Sequence, residues 1–293
     1  MGPRRDRAAR RSRRIHRSVI VTLAGKVVVI TGGAGGLGSA SAALCAERGA
    51  VVVLLDRDEE ALARAAQDIR RRVGTYVLDV TDADACTRVI DNVVAVYGRV
   101  DIVWANAGVS VFGPVDLLPD DAWKRVLDVN LVGAHNIVRA ALPALLRSRG
   151  YVAMTCSWAS FAHQPGHSAY AAAKAGLEAF ANSLRLELAG TGVDVGSLHP
   201  GWIDTTMVTG KLQGQPAFAA LLDALPGPFG SVATTASITP HLVDALERRA
   251  ARMIYPRVGW ALLLTRSALQ TSLFTRRSRA VAPEIRRLSG LEG

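Results

Sequence analysis

The segment Tyr170-Ala-Ala-Ala-Lys174 sets a phenol and an ammonium at i and i+4, which on a helix puts them on one face. The alanines between them keep that face slim, leaving room for a flat cofactor. A neighbouring positive charge favours phenolate, which draws a tyrosine pKa down from about 10 toward working pH. Tyr170 is thus a candidate general acid/base for interconverting a carbinol and a carbonyl, and Ser157, upstream in the chain, is the third member of the group. A surface Tyr and Lys on an Ala-rich helix would show the same spacing, so the motif needs support from elsewhere in the chain.

Support comes from a glycine loop. Val27–Ile30 runs into Thr31-Gly-Gly-Ala-Gly-Gly-Leu-Gly38, and a helical pattern follows. Between a strand and a helix, backbone N–H groups of such a loop can approach a pyrophosphate at the positive helix end. Gly33, Gly35 and Gly38 fit G-x-G-x-x-G, whereas Gly32, Gly36 and Gly38 fit G-x-x-x-G-x-G, and a plain Gly-rich turn would satisfy either. Asp56 closes the next apolar run 18 residues beyond Gly38, close to the roughly 20 expected for the acid that binds an adenosine ribose. A carboxylate there accepts from the 2′-hydroxyl and repels a 2′-phosphate, which favours NAD(H) over NADP(H). Arg57 beside it either screens such a phosphate or is a solvated loop charge.

Positioning these groups requires a regular frame. Short apolar runs at Val27–Ile30, Val51–Leu55, Thr75–Leu78, Val100–Ala105, Tyr151–Thr155 and Val193–Leu198 alternate with amphipathic stretches near 36–48, 58–72, 82–97, 120–147 and 168–190. Thr81-Asp82 offers a cap for the third of those stretches. Runs of this kind read as parallel strands buried on both faces. The alternation predicts an α/β fold with a single doubly wound Rossmann-type parallel sheet flanked by helices. The domain is expected over 23–255, between a basic arm at 1–22 and a basic accessory segment at 256–293. Residues from about 206 to 239, with Pro216, Pro226 and Pro228, break any long helix and read as a lid over the sheet's carboxyl edge. A helix at Pro240–Ala250 and a short strand near Met253–Tyr255 are expected to close the domain.

Taken together, these motifs resemble the short-chain dehydrogenase/reductase family over roughly 23–205. The loop looks like the family's T-G-x-x-x-G-x-G, which selects Gly32, Gly36 and Gly38, with Leu37 between the last two. Asp79-Val80 resembles the pair after the third strand, and Asn106-Ala107-Gly108 the N-A-G turn after the fourth. Asn130 stands where the family has its active-site Asn, and Ser157 stands 13 before Tyr170 as in the family. Pro200-Gly201, Ile203 and Thr205 look like the segment that closes on the nicotinamide and pyrophosphate. The resemblance implies that Tyr170 exchanges the proton and Ser157 hydrogen-bonds the substrate oxygen. It implies that Lys174 binds the nicotinamide ribose and lowers the pKa of Tyr170, while Asn130 holds a water leading from Lys174 to solvent. Asp79 would contact adenine. The implied activity is hydride transfer between NAD(H), or less readily NADP(H), and a secondary alcohol or ketone, in a homodimer or homotetramer formed through the long helices. A non-catalytic nucleotide-binding protein on the same fold is the contrasting class, and an intact Asn130, Ser157, Tyr170 and Lys174 set argues against it.

Bulk charge points elsewhere until it is located. The 293 residues carry 35 Lys+Arg against 25 Asp+Glu, a formal +10 that would suggest nucleic acid or an acidic membrane. Residues 1–18 contribute +7 and 240–293 contribute +6, which leaves −3 for the body. Nucleic acid is therefore not expected as a partner; peripheral membrane contact through the basic ends remains open. Ser12-Arg13-Arg14 before Ser18–Gly25 imitates an export leader, but Lys26 breaks the apolar run, which continues into the strand that the glycine loop needs. Three cysteines argue for a reducing, cytoplasmic setting, and Cys156 reads as a core residue. His135, His163, His167 and His199 share no metal-ligand spacing, so no metal is expected. The lid carries only Asp223 as a charge between Gly214 and Thr239, which suggests an apolar substrate such as a lipid, steroid or terpenoid alcohol. Trp158, Phe161, His163 and Gln164 are candidates to line its cleft. The segment from Tyr255 to Arg279 could pack over the substrate loop, clamp a neighbouring subunit or lie on a membrane.

Overall fold

Strands that are apolar on both faces must be covered on both, and that is how the chain is arranged. The computed structural model describes residues 22–69, 71 and 73–290; the basic arm expected at 1–22 lies, apart from Thr22, outside the described residues. β1 (Val27–Thr31) leads through α1 (Gly36–Glu47), β2 (Val51–Asp56), α2 (Glu59–Asp68), β3 (Val73–Val77) and α3 (Ala83–Tyr97) to β4 (Ile102–Ala105). Then come α4 (Asp120–Leu127), a π-helical turn at Asp128–Val132, α5 (Gly133–Ser148), β5 (Tyr151–Thr155), α6 (Ser168–Glu187) and β6 (Asp194–Pro200). The remainder is α7 (Thr206–Gly214), α8 (Pro216–Ala224), α9 (Thr235–Glu247), β7 (Arg252–Tyr255), α10 (Gly259–Leu264) and α11 (Ser272–Leu288).

The seven strands form one parallel sheet in the order β3-β2-β1-β4-β5-β6-β7. Chain direction across the sheet reverses at β1, so a crevice opens at the carboxyl ends of β1 and β4, where α/β sheets bind ligands. Alternation along the strands sorts the core. Val27 and Val29 join Val53, Leu55 and residues of α3, α5 and α6 on one face. Val28 and Ile30 join Val52, Leu54 and residues of α1, α2 and α9 on the other. Each such side chain contributes about 1.5–3 kcal/mol on burial. Asp82 caps α3 as its sequence suggested, accepting from the Ala85 N–H at 2.8 Å.

Three departures from the sequence pattern matter for function. The stretch expected as one helix over 120–147 is interrupted by the π-helical turn that carries Asn130; such turns insert one residue and often mark functional positions. Gly133, just after it, lets this turn approach Val80, because a Cβ there would stand 2.5 Å from a Val80 methyl. The Pro-rich lid folds as the two helices α7 and α8, with Pro216 at the start of α8, where a missing N–H costs nothing. Finally, α9 begins at Thr235, after the cap residue Thr234, rather than at Pro240; Thr234 Oγ1 accepts from the Ser237 N–H, and Ile238 and Thr239 are buried against the core.

The run Asp120–Ser148 is long enough to cross a membrane by length and composition, its most apolar 18-residue stretch having a mean hydropathy of 1.3, but half of that stretch is buried inside the fold. Its buried side chains, among them Ile137, Val138 and Leu145, complete the core beside the sheet. It is a core helix. The C-terminal segment also packs closely: Ile285 of α11 is buried against Phe218, Leu221 and Leu222 of α8, and Arg286 holds Asp116 through two bonds of 2.8 and 2.9 Å.

Candidate active site

At the carboxyl ends of β1, β4 and β5, one chain of hydrogen bonds fixes the glycine loop. Trp104 Nε1 donates to Thr155 Oγ1 at 2.8 Å, and Thr155 Oγ1 donates to Asn106 Oδ1 at 3.0 Å. Asn106 Nδ2 then donates to the carbonyls of Thr31 and Gly32, while Thr31 Oγ1 accepts from the N–H groups of Asn106 and Ala107 at 3.0 Å. The loop this secures has Gly32 and Gly36 at positive φ, +62° and +52°, where glycine is favoured. A Cβ at Gly38 would lie 2.2 Å from the Gly32 carbonyl oxygen, whereas one at Gly35 would meet nothing within 4 Å. Geometry therefore selects Gly32, Gly36 and Gly38 of the two glycine templates. No side chain caps the start of α1, which leaves its first N–H groups for an anion.

Gly32, Gly36, Leu37, Asp56, Asn106, Ala107, Gly108, Tyr170, Lys174, Pro200, Gly201, Ile203 and Thr205 all line one cleft of about 260 Å³. A smaller hollow of about 110 Å³ continues past Asp56 and Arg57 to Asp79 and Val80. Asp56 Oδ2 accepts from the Ala34 N–H at 3.2 Å, which holds the carboxylate at the loop. Asp79 is held below the usual carboxylate range by two bonds from Thr81, one from its N–H and one from its hydroxyl.

Tyr170 and Lys174 stand one turn apart on α6, with Ser157 at the end of β5. Lys174 is almost fully buried, and its Nζ donates to the Thr155 carbonyl at 2.6 Å, 5.5 Å from the Tyr170 ring centre. Burial pushes this ammonium down to about 8. The expected depression of Tyr170 is not what the geometry gives. Burial drives the phenol up to about 12, and the nearby Ser157 hydroxyl only partly offsets it. Lys174 spends its charge on a carbonyl. Asn130 is also more committed than a water holder needs to be: its amide donates to the Val109 carbonyl and accepts from the Val109 N–H, both at 2.8 Å. The side chain thus locks the loop after Asn106–Gly108. A Cβ on Gly108 would come 2.9 Å from Asn130 Oδ1 and 3.6 Å from Lys174 Nζ, so the two side chains converge there.

A second cavity of about 330 Å³ opens on the other side of Tyr170, lined by Ser157, Trp158, His163, Gln164 and Trp202, and by Leu225, Phe229 and Leu262 from later segments. Phe161 faces away, packed with Trp158 and Leu263 and 5.5 Å from the His199 ring. His167 is wedged among Phe112, Trp202 and Phe218, and burial holds it down at about 3, neutral. His199 is fully buried with Nδ1 3.1 Å from the Ser157 carbonyl, and it supports the strand end that presents Ser157. Cys156 points into the core, its thiol pushed up to about 12 by burial.

The sequence model of the short chain dehydrogenases matches residues 26–216. The chain belongs to the short-chain dehydrogenase/reductase family. It is 34% identical over 226 residues to the 3-oxoacyl-(acyl-carrier-protein) reductase of Thermotoga maritima, which spans 76% of this chain and 92% of the relative. A short-chain type dehydrogenase/reductase from Mycobacterium marinum superposes with a TM-score of 0.72 at 26% identity, covering 80% of this chain and 95% of its own. An NAD+-bound xylitol dehydrogenase superposes with a TM-score of 0.70 at 29% identity, covering 77% and 93%.

Short-chain dehydrogenase/reductases act on CH–OH or ketone groups with NAD(P)(H), and the cleft fits such a dinucleotide. The glycine loop leaves space that a Cβ would fill, α1 presents uncapped N–H groups, and Asp56 stands at the end of β2. Reasoning from sequence placed Thr31 at the head of the glycine motif without a role for its hydroxyl, and it gave no sign of Trp104 or Thr155, because these hydrogen bonds are made between strands far apart in the chain. It also missed Trp202, although its place beside Pro200-Gly201 was a usable signal. Phe112, Phe218 and Arg277 carried no signal of this kind.

Proposed function

We propose that this short-chain dehydrogenase/reductase transfers hydride between NAD(H) and a secondary alcohol or its ketone, with an apolar substrate body. One observation carries the reading: Tyr170 lines both the dinucleotide cleft and the apolar cavity, so its phenol sits at their junction. The glycine loop and the start of α1 would hold the pyrophosphate, Asp56 the adenosine ribose and Lys174 the nicotinamide ribose. The bound nicotinamide supplies or takes the hydride. Ser157 Oγ and Tyr170 Oη orient the substrate oxygen by hydrogen bonds. During reduction the Tyr170 phenol delivers its proton to that oxygen; during oxidation the phenolate removes it. Trp158, Trp202, Leu225 and Phe229 exclude water around the reacting carbon, which strengthens these contacts.

Asp56 favours NAD(H), because a 2′-phosphate would meet its carboxylate. Arg57, which lines the adjoining hollow, favours the second reading, an NADP(H)-dependent ketoreductase. Apolar secondary alcohols and ketones tested with both dinucleotides separate the two, read by absorbance of the reduced nicotinamide. In the same assay Tyr170→Phe is expected to bind NADH normally and to lose about 10²–10⁴-fold in kcat. Undiminished turnover in that variant would remove Tyr170 from the mechanism.

A further inference from the structure

The substrate cavity has one wall that the shared fold does not provide. The family match ends at residue 216, yet Leu262, Leu269, Thr275, Arg277 and Ser278 all line this cavity. α11 is held there by Ile285 in the α8 cluster, by Arg286 on Asp116, and by Ser278 Oγ, which donates to Gln164 Oε1 at 2.8 Å. Arg277 is the single formally charged side chain among the described lining residues, and no carboxylate lines the cavity to neutralise it.

Within the segment, Arg286 pairs with Asp116 and Arg287 with Glu284, and Arg257, Arg276 and Arg279 do not line the cavity. Arg277 makes no hydrogen bond or ion pair to a described residue. It enters the cavity wall from α11, whereas Tyr170 stands on α6 and Ser157 just beyond β5. The cavity therefore combines a proton-transfer end at Ser157 and Tyr170, apolar walls, and a separate cationic position flanked by the hydroxyl residues Thr275 and Ser278. Arg277 is solvent-exposed at the cavity mouth, and its planar donor fork matches a carboxylate.

We propose that the substrate is an amphipathic hydroxy or oxo acid, whose carboxylate, remote from the carbinol along an apolar body, is bound by Arg277. The proposal rests on the reaction assigned above and deepens it by naming the substrate class. The test compares 9-hydroxydecanoate with its methyl ester. The acid is expected to exceed the ester in kcat/KM by about tenfold, the effect of a single charge-assisted contact of about 1.4 kcal/mol. Arg277→Met should bring that ratio to about one, Arg277→Lys should keep part of it, and Arg276→Met, a neighbour that does not line the cavity, should leave it unchanged. An unaltered ratio in Arg277→Met overturns the assignment.

Calorimetry on the NAD-loaded protein provides a measurement that needs no turnover. Decanoate should bind more tightly than decanol, with the preference lost in Arg277→Met. Equal affinities in the unmodified protein overturn the anion site. Lack of turnover with a preserved decanoate preference instead refutes the reaction while supporting the site.

Discussion

The two cavities that meet at Tyr170 are built by opposite means. The dinucleotide cleft is made of strand ends, glycine backbone and short polar bonds, from Trp104 through Thr155 and Asn106 to Gly32. The apolar cavity is lined largely by side chains of segments that follow β5, among them α10 and α11. Displacing the first wall breaks several hydrogen bonds at once. The second wall can be resized one side chain at a time. On the proposed function, cofactor binding and substrate choice are therefore physically separable, and the residues that join the two cavities are Tyr170 and Gly201, which line both.

The largest expected effect lies at the junction. Because burial holds Tyr170 up at about 12, its neutral phenol predominates through neutral pH. Alcohol oxidation needs the phenolate, so its kcat/KM should rise about tenfold per pH unit from pH 7 to 9. Ketone reduction needs the neutral phenol and should be nearly flat over the same range. A flat oxidation profile would mean that the phenol titrates well below this range in the working complex.

Next, Gly38→Ala should break the polar side alone. Its Cβ would collide with the Gly32 carbonyl, and overpacking of this kind costs about 1–3 kcal/mol. Titration with NADH should show roughly tenfold or greater weakening, equivalent to at least about 1.4 kcal/mol. Unchanged NADH affinity would show that the loop relaxes freely.

Ile285→Ala should affect the apolar side alone. It removes a side chain only 1% exposed in the α8–α11 cluster, a class of change that costs about 2–5 kcal/mol. Much of that is expected as local loosening, seen as faster hydrogen exchange in α8 and α11 and a raised substrate KM, with NADH affinity preserved. A parallel loss of NADH affinity would refute the separation of the two halves. Asp116→Asn should have the smallest effect. Its pair with Arg286 is exposed on both sides and so contributes little; a modest rise in substrate KM at low salt, vanishing at high salt, is the expected signature.

How far the sequence reached can be judged residue by residue. Tyr170 and Lys174 declare their shared face through helical spacing, and Gly32, Gly36, Gly38 and Asp56 sit at positions fixed by a strand, a tight loop and a helix start. Such relations are local, so residue type and periodicity suffice to read them. The π-helical turn at Asn130 has no comparable signature, because the extra residue is accommodated through packing of Gly133 on Val80. The basic C-terminal segment reads from sequence as an accessory helix over the substrate loop, a subunit clamp or a membrane-surface helix, and only tertiary packing seats Ile285 of α11 against Phe218 of α8.

By itself, the sequence determined the alternating frame and the order of its strands and helices along the chain, which follow from periodicity and spacing, and it offered Tyr170 and Lys174 as candidate reacting groups through their i, i+4 spacing. Tertiary structure decided what those groups experience. It buried Tyr170 enough to reverse the expected direction of its pKa, turned Lys174 toward the Thr155 carbonyl, and set Arg277 on the wall of an apolar cavity. Desolvation and distance between segments remote in the chain govern these outcomes, and neither quantity exists until the chain has folded.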